Sequence, residues 1–308
     1  MSRPFRPDDV DAALALMREA LGEGRVPRSE AFFRWKHLEN PFGASLGFVV
    51  DDDAGGGLLA LRLFQRWGLS IRGFPVEAVR AVDTATAVRA QGQGHFKRLT
   101  LRAVDAGVAD DVDLVFNTPN EKSGAGYLKM GWRDLGQPGV WVRAARPSFS
   151  GMVEGDDVDV DVVAAAMGVG DDGRLRTRHT VSTLQWRYVD IPGFTYRMHR
   201  VGDAVAVFRR QRRRGVPECT ICELHHPSTV RGVAQATRLV DELGRGFAGF
   251  VSAMPTTSLT TAALAAAGAV RVPLGPRLFV RPLAMRRVDP VPETHRRFAL
   301  GVGDLELF

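Results

Sequence analysis

Cysteine is almost absent: Cys219 and Cys222 are the two in 308 residues, too few for a disulfide framework. No apolar run approaches the roughly 20 residues that cross a bilayer. The start, Met1-Ser2-Arg3-Pro4-Phe5-Arg6, lacks the apolar stretch of an export signal. These absences point to a cytoplasmic protein with no membrane partner. Lysine is scarce too. Of 41 basic residues only Lys36, Lys97, Lys122 and Lys129 are lysine, and the rest are arginine. With abundant Ala, Gly, Val and Asp, this matches the codon bias of a GC-rich genome, so the net charge of +6 says little about a polyanionic partner. The densest cluster, Arg209-Arg210-Gln211-Arg212-Arg213-Arg214, precedes Gly215 without interleaved aromatics to stack bases. It reads as a solvated hairpin end, and no nucleic-acid partner is expected.

What remains is a globular composition, 45% hydrophobic and 25% charged, in a chain long enough for two ordinary domains. After Asp8-Asp9, residues Val10, Leu14, Met17 and Leu21 share one helical face, with Gly22 as a stop. Residues 48–50, 58–64 and 76–86 read as strands. A helix is expected from near Gly94, with Phe96, Leu99, Ala103 and Val104 inward. A strand at 114–116, a helix over about 121–130 and a strand at 140–142 follow. The fold class is α/β, with mixed, mostly antiparallel sheets flanked by helices.

The second half repeats the first. Trp35-Lys36 with Pro41 matches Trp186-Arg187 with Pro192, 151 residues on. Gly68 is paired with Gly215, Pro119 with Pro255, Gly131 with Gly268, and Trp141-Val142-Arg143 with Phe279-Val280-Arg281, always in the same order. Two pseudo-repeated domains follow, residues 1–147 and 148–308. Trp35 and Trp186 read as core or interdomain anchors.

The first copy carries Asp83-Thr84-Ala85-Thr86-Ala87-Val88-Arg89-Ala90-Gln91-Gly92-Gln93-Gly94-His95-Phe96 between a strand and a helix. Gly92 and Gly94 let backbone amides turn toward a ligand, and a helix N-terminus favours phosphate. The third glycine of a dinucleotide fingerprint and the Gly-Lys-Ser/Thr of a kinase-type loop are both missing. Further on, Asn120 is followed by Tyr127 seven positions later and by Gly131-Trp132 at eleven and twelve. Loop and run together resemble the GNAT superfamily of acyl-CoA-dependent N-acyltransferases, whose loop pattern is Gln/Arg-x-x-Gly-x-Gly/Ala. Aligning Gln91 and Gly94 with it leaves Phe96 where a small residue is usual. A second register, Arg89-x-x-Gly92-x-Gly94, fits completely.

The resemblance implies direct transfer from acetyl-CoA or another acyl-CoA to a primary amine of a small molecule or peptide, by a monomer or homodimer. The backbone of Gln91, Gly92, Gln93, Gly94, His95 and Phe96 would hold the pyrophosphate. Thr84, Ala85 and Thr86 would run beside the pantetheine arm, and Asn120 would contact the cofactor. Tyr127 would protonate the departing thiolate. For the base, Asp83, Glu77 and the Phe308 carboxylate are open, with Asp83 taken first. No metal is expected: residues 219–222 read as a strand with the two thiols on opposite faces. The second copy lacks glycine loop, asparagine and tyrosine together, so one CoA per chain is expected. A non-catalytic acyl-CoA-binding module is the competing class.

Overall fold

The structure is a computed structural model that describes residues 1–22, 28–54, 56–148, 151–167, 172–283 and 292–305. The first half runs β1 (Ser2–Pro4), α1 (Val10–Leu21), α2 (Glu30–His37), β2 (Leu46–Asp51), β3 (Leu58–Ile71), β4 (Phe74–Thr86), α3 (His95–Ala109), β5 (Leu114–Asn117), α4 (Glu121–Lys129), β6 (Arg133–Asp134) and β7 (Val140–Ala144). The second half runs α5 (Val160–Ala166), β8 (Arg176–Thr177), α6 (Val181–Tyr188), β9 (Arg197–Val201), β10 (Ala204–Arg213), β11 (Val216–His225), α7 (Val230–Leu243), β12 (Phe250–Ala253), α8 (Ser258–Ala266), β13 (Val270–Val272), β14 (Phe279–Pro282) and α9 (Val302–Leu305). From α1 and from α5 onward the order of the main elements is the same.

The two sheets do not divide at residue 147. One is ordered β1-β2-β3-β4-β5-β14-β6, with β8 against β3, and the other β13-β7-β12-β11-β10-β9. The halves therefore exchange strands: β7 of the first half lies in the second sheet, and β14 with the two-residue β8 of the second half lies in the first. The exchange is matched in register: Trp141 lies opposite Ala253, as Phe279 lies opposite Asn117. The repeated tripeptides are the exchanged strands themselves.

Where α2 meets α6, Trp35 Nε1 donates to the Trp186 carbonyl at 2.7 Å and Trp186 Nε1 donates to the Trp35 carbonyl at 2.9 Å. The rings stack with centroids 4.7 Å apart. The groove beside them is lined by Ala31, Arg34, Trp35, Glu39 and Pro41 and by Ser182, Gln185, Trp186, Asp190 and Pro192. Each of the second five stands at the Trp35–Trp186 spacing of 151 from one of the first. The junction is thus locally two-fold, which supports two copies of one unit.

One expected pairing is out of register. Gly73 and Gly215 each follow an arginine at φ 51° and have φ of 77° and 84°; they occupy matching hairpin turns, where glycine takes a positive φ without strain. Gly68 instead lies inside β3, opposite Glu77. Gly73, not Gly68, corresponds to Gly215.

Both faces of β4 are covered. Val76 and Ala78 join the cluster holding Trp35, Trp67 and Trp186, whereas Val79 and Ala81 pack with Leu99, Ala103 and Tyr127 under α3 and α4. Cys219 and Cys222 are buried, form no disulfide and belong to different clusters, as opposite strand faces require. Val10, Leu14 and Met17 enter the core, but Leu21 is 52% exposed and borders the cleft described next. No helix among the described residues is long and apolar enough to cross a membrane.

Candidate active site

The parallel pairing of β4 with β5 stops at Arg80–Phe116, although β4 continues to Thr86. Beside that unpaired end lies a cleft of about 480 Å³, lined by Thr84, Ala85, Thr86, Gln91, Gly92, Gly94, His95 and Phe96, with Ala20, Leu21, Ala90 and Lys97. Most of the expected cofactor residues therefore meet in one place. Gln93 and Asn120 are outside this lining. Gln93 Nε2 donates to the Arg89 carbonyl at 3.3 Å, and Asn120 Oδ1 accepts from the Ser123 amide at 3.0 Å, capping α4.

The start of α3 differs from its neighbours. Ser29, Asn120, Asp159, Thr180, Thr229 and Thr257 cap α2, α4, α5, α6, α7 and α8 through their side chains. At α3 the cap position is Gly94, left-handed at φ 75°, with no side-chain hydrogen bond. Its first-turn amides therefore lack a capping acceptor and sit at the positive end of the helix dipole. A Cβ added at Gly92 or Gly94 would meet nothing within 4 Å, so both face open space. Such a terminus is suited to a phosphate group. The register starting at Gln91 is the one that puts the cap glycine in the pattern's central position. Arg89 is engaged by Asp52 and, at 3.7 Å, by Glu19. His95 Nδ1 faces Arg98 Nη2 at 2.7 Å, and burial together with the Arg98 charge lowers its pKa.

Tyr127, on α4, is 3% exposed. Its ring meets Phe96 edge-on at 5.5 Å and lies 5.0 Å from Trp132. Its hydroxyl oxygen accepts from Arg62 Nη2 at 2.6 Å. Arg62 was not anticipated. It stands in the apolar run Leu61-Arg62-Leu63-Phe64 on β3 and is fully buried. The signal was a lone charge at a core position, masked by the general excess of arginine.

Asp83 does not fit the role of base. Lys36 Nζ lies 2.7 Å and His37 Nε2 2.8 Å from its Oδ2. Burial works to raise its pKa, but the Lys36 charge and the His37 and Lys36 hydrogen bonds outweigh it and hold the carboxyl well below the usual range. A carboxylate so weakly basic is a poor acceptor for an ammonium proton at neutral pH. Glu77 lies six residues back along β4, about 20 Å at strand rise, with its side chain against Arg178 at 3.3 Å. Phe308 is outside the described residues. Asp304 and Leu305 belong to the helical turn α9.

Among the described residues, one group has metal-type ligands: His179, Glu223 and Asp304, within 4.8 Å of one another. Its carboxylates already have protein partners. Glu223 accepts from Tyr188 and lies 3.1 Å from His225, and Asp304 accepts from the Gly301 amide at 2.7 Å. Burial and the Glu223 charge raise the Asp304 pKa.

The corresponding part of the second half is closed. Residues 87–94 separate β4 from α3, but only residues 226–229 separate β11 from α7, where Thr229 Oγ1 caps the helix by accepting from Gly232 at 3.0 Å. Trp132 donates to the Tyr127 carbonyl, and Ala269 likewise to that of Leu264, so leucine replaces tyrosine. Pairing of β11 with β12 stops at Ile221–Ala253. A Cβ added at Gly301 would lie 3.2 Å from the Cys222 carbonyl and 3.6 Å from Thr256, so the segment leading into α9 fills the space between those strand ends.

No protein-family model matches the sequence, and no curated protein matches it. Solved structures do. A conserved Enterococcus faecalis V583 protein described as a probable N-acyltransferase superposes with a TM-score of 0.67 at 10% identity, covering 93% of this chain and 73% of that one. A GCN5-related N-acetyltransferase from Anabaena variabilis gives 0.65 at 14% identity over 92% and 72%. Saccharomyces cerevisiae N-myristoyltransferase, solved with bound myristoyl-CoA, gives 0.59 at 10% over 97% and 84%. The chain has the fold of the GNAT N-acetyltransferases.

Proposed function

We propose that the chain is an acyl-CoA-dependent N-acyltransferase whose first copy, residues 1–147, binds the acyl donor, while residues 148–308 form a degenerate copy that shapes the acceptor side. The observation that carries this reading is the uncapped, left-handed start of α3 opening onto the cleft beside the end of β4 that β5 leaves unpaired. The amides from Gln91 to Phe96 hold the donor's pyrophosphate, and Thr84 to Thr86 run beside the pantetheine arm. Fold neighbours described as N-acetyltransferases, and one with myristoyl-CoA bound, support an acyl-CoA as donor.

A primary amine attacks the thioester carbonyl directly, the C–S bond breaks, and Tyr127 supplies the proton that turns the leaving thiolate into a thiol. Asp83 has no part as base; it fixes Lys36 and His37 beneath β4. Acetyl transfer to a small-molecule or peptide amine is the working assignment. The test is release of free thiol from acetyl-CoA against a panel of amines. Tyr127→Phe lowers turnover about 100-fold or more, with CoA affinity little changed. Bound CoA without thiol release across the panel supports a binding module instead.

A further inference from the structure

Arg62 is a buried cation without an acid. Its relative exposure is 0%. Its hydrogen bonds run to neutral acceptors, Nη1 to the Val82 carbonyl at 3.1 Å and Nη2 to the Tyr127 hydroxyl at 2.6 Å. Nε is buried with no partner. The guanidinium lies 4.9 Å from the Phe64 ring centroid, 5.7 Å from that of Phe96 and 5.5 Å from that of Tyr127. Among the described residues no carboxylate lies within ion-pairing distance of it. Burying an unneutralised charge is among the costliest things a fold can do, and ring faces offset that cost only in part. Of the other buried first-half cations, Lys36 has its acid in Asp83 at 2.7 Å and Arg143 in Asp241 at 2.9 Å. Arg80 donates to the Leu305 carbonyl at 3.4 Å and lies over the rings of Trp67 and Phe116. Arg62 alone among them donates to a side-chain hydroxyl of the proposed site.

We propose that Arg62 is the positioning residue for Tyr127, and that the negative charge it lacks at rest is the one that forms on the Tyr127 oxygen during each turnover. The inference rests on Tyr127 as the proton donor. The geometry divides the work. Because the guanidinium donates to the phenol oxygen, the O–H hydrogen is directed away from Arg62. The proposal gives it to the donor's sulfur, with Tyr127 standing behind Phe96 of the cleft lining, whose ring it meets edge-on at 5.5 Å. When the amine nitrogen forms its bond to the carbonyl carbon and the C–S bond breaks, the electron pair goes to sulfur. Sulfur takes the Tyr127 proton and leaves as thiol. The phenolate is held against Arg62 until a proton shed by the acylated nitrogen reaches it through water and restores the phenol. No charge is created without a partner, and the partner, a fully buried guanidinium, is fixed beforehand.

The test is a double-mutant cycle in the full chain, with acetyl-CoA and any amine that supports turnover. Arg62→Met keeps the bulk and removes the charge; kcat is expected to fall about 10- to 100-fold, with KM for acetyl-CoA within about threefold. Arg62→Lys is expected to recover most of the loss. In the Tyr127→Phe background, Arg62→Met changes kcat by less than about threefold, because the charge it serves never forms. The same fall in kcat with and without the Tyr127 hydroxyl overturns the proposal, as does a loss confined to KM. Should Arg62→Met fail to fold, Arg62→Lys is put through the same cycle. Whatever loss it shows must vanish with Tyr127→Phe, and a loss that persists there refutes the coupling. Tyr127→Phe with parental kcat rejects the proton-donor assignment itself, a result distinct from additivity.

Discussion

Position 94 holds the account's most exacting residue. Its φ of 75° is one that a β-branched residue rarely adopts, and its amide opens the helix at the cleft. Gly94→Val therefore weakens CoA binding far more than His95→Ala, whose side chain is engaged by Arg98; calorimetry of the two variants checks this. Asp83 is decided by its partners. Its carboxyl is held low by Lys36 and His37, so its contribution to stability is full above the unfolded value near 3.9 and is lost as pH falls toward the depressed folded value. His37 is shifted down mainly by burial, against Asp83, so acid begins to favour the unfolded chain once pH falls below about 6.5. Both effects have the same sign, and melting temperature is expected to decline steadily on acidification below that point. Asp83→Asn strands the Lys36 charge and costs about 3 kcal/mol at pH 7, while the acid limb of kcat/KM stays where it was. Disappearance of that limb restores Asp83 as the base.

The paired helices α2 and α6 carry the clearest element-scale prediction. Trp35→Ala removes a buried indole, one stacking partner and one of two reciprocal hydrogen bonds, and is expected to cost about 3–5 kcal/mol. Trp186→Ala should cost a similar amount, and the double variant less than the sum, because each single change already breaks the stack. Denaturant melts measure all three. Most strands and helices of the first half were legible in advance because apolar period and glycine stops are local signals, and so was the Gln91–Phe96 loop; α2 and the outer half of β3 were not. The partners of those elements were not. The β7 sequence reads equally well as an edge strand of its own sheet, and only the pairing of Trp141 with Ala253 shows its place in the other. Arg62 and the Lys36–His37–Asp83 group escaped for a related reason: their meaning lies in contacts across tens of residues. The Gly68 pairing failed because one glycine looks like another until φ separates a turn from a strand.

At the scale of the whole molecule, two copies of one unit are proposed to serve a single donor site. The second copy has a strand-to-helix connection of four residues in place of eight, a helix capped by its own Thr229, Leu264 in place of tyrosine, and the approach to α9 lodged between its strand ends. On the proposed reading any one of these weakens a CoA site, and together they are expected to remove it. Because the halves share strands across both sheets, ligand bound to the first should protect the whole chain, by about 2.7 kcal/mol at 100 times its dissociation constant. The most direct measurement is titration calorimetry of the full chain with CoA, alongside Gly94→Val. One site per chain, lost or severely weakened in Gly94→Val, is the predicted result. Two sites of comparable affinity, or one site indifferent to Gly94→Val, would contradict it.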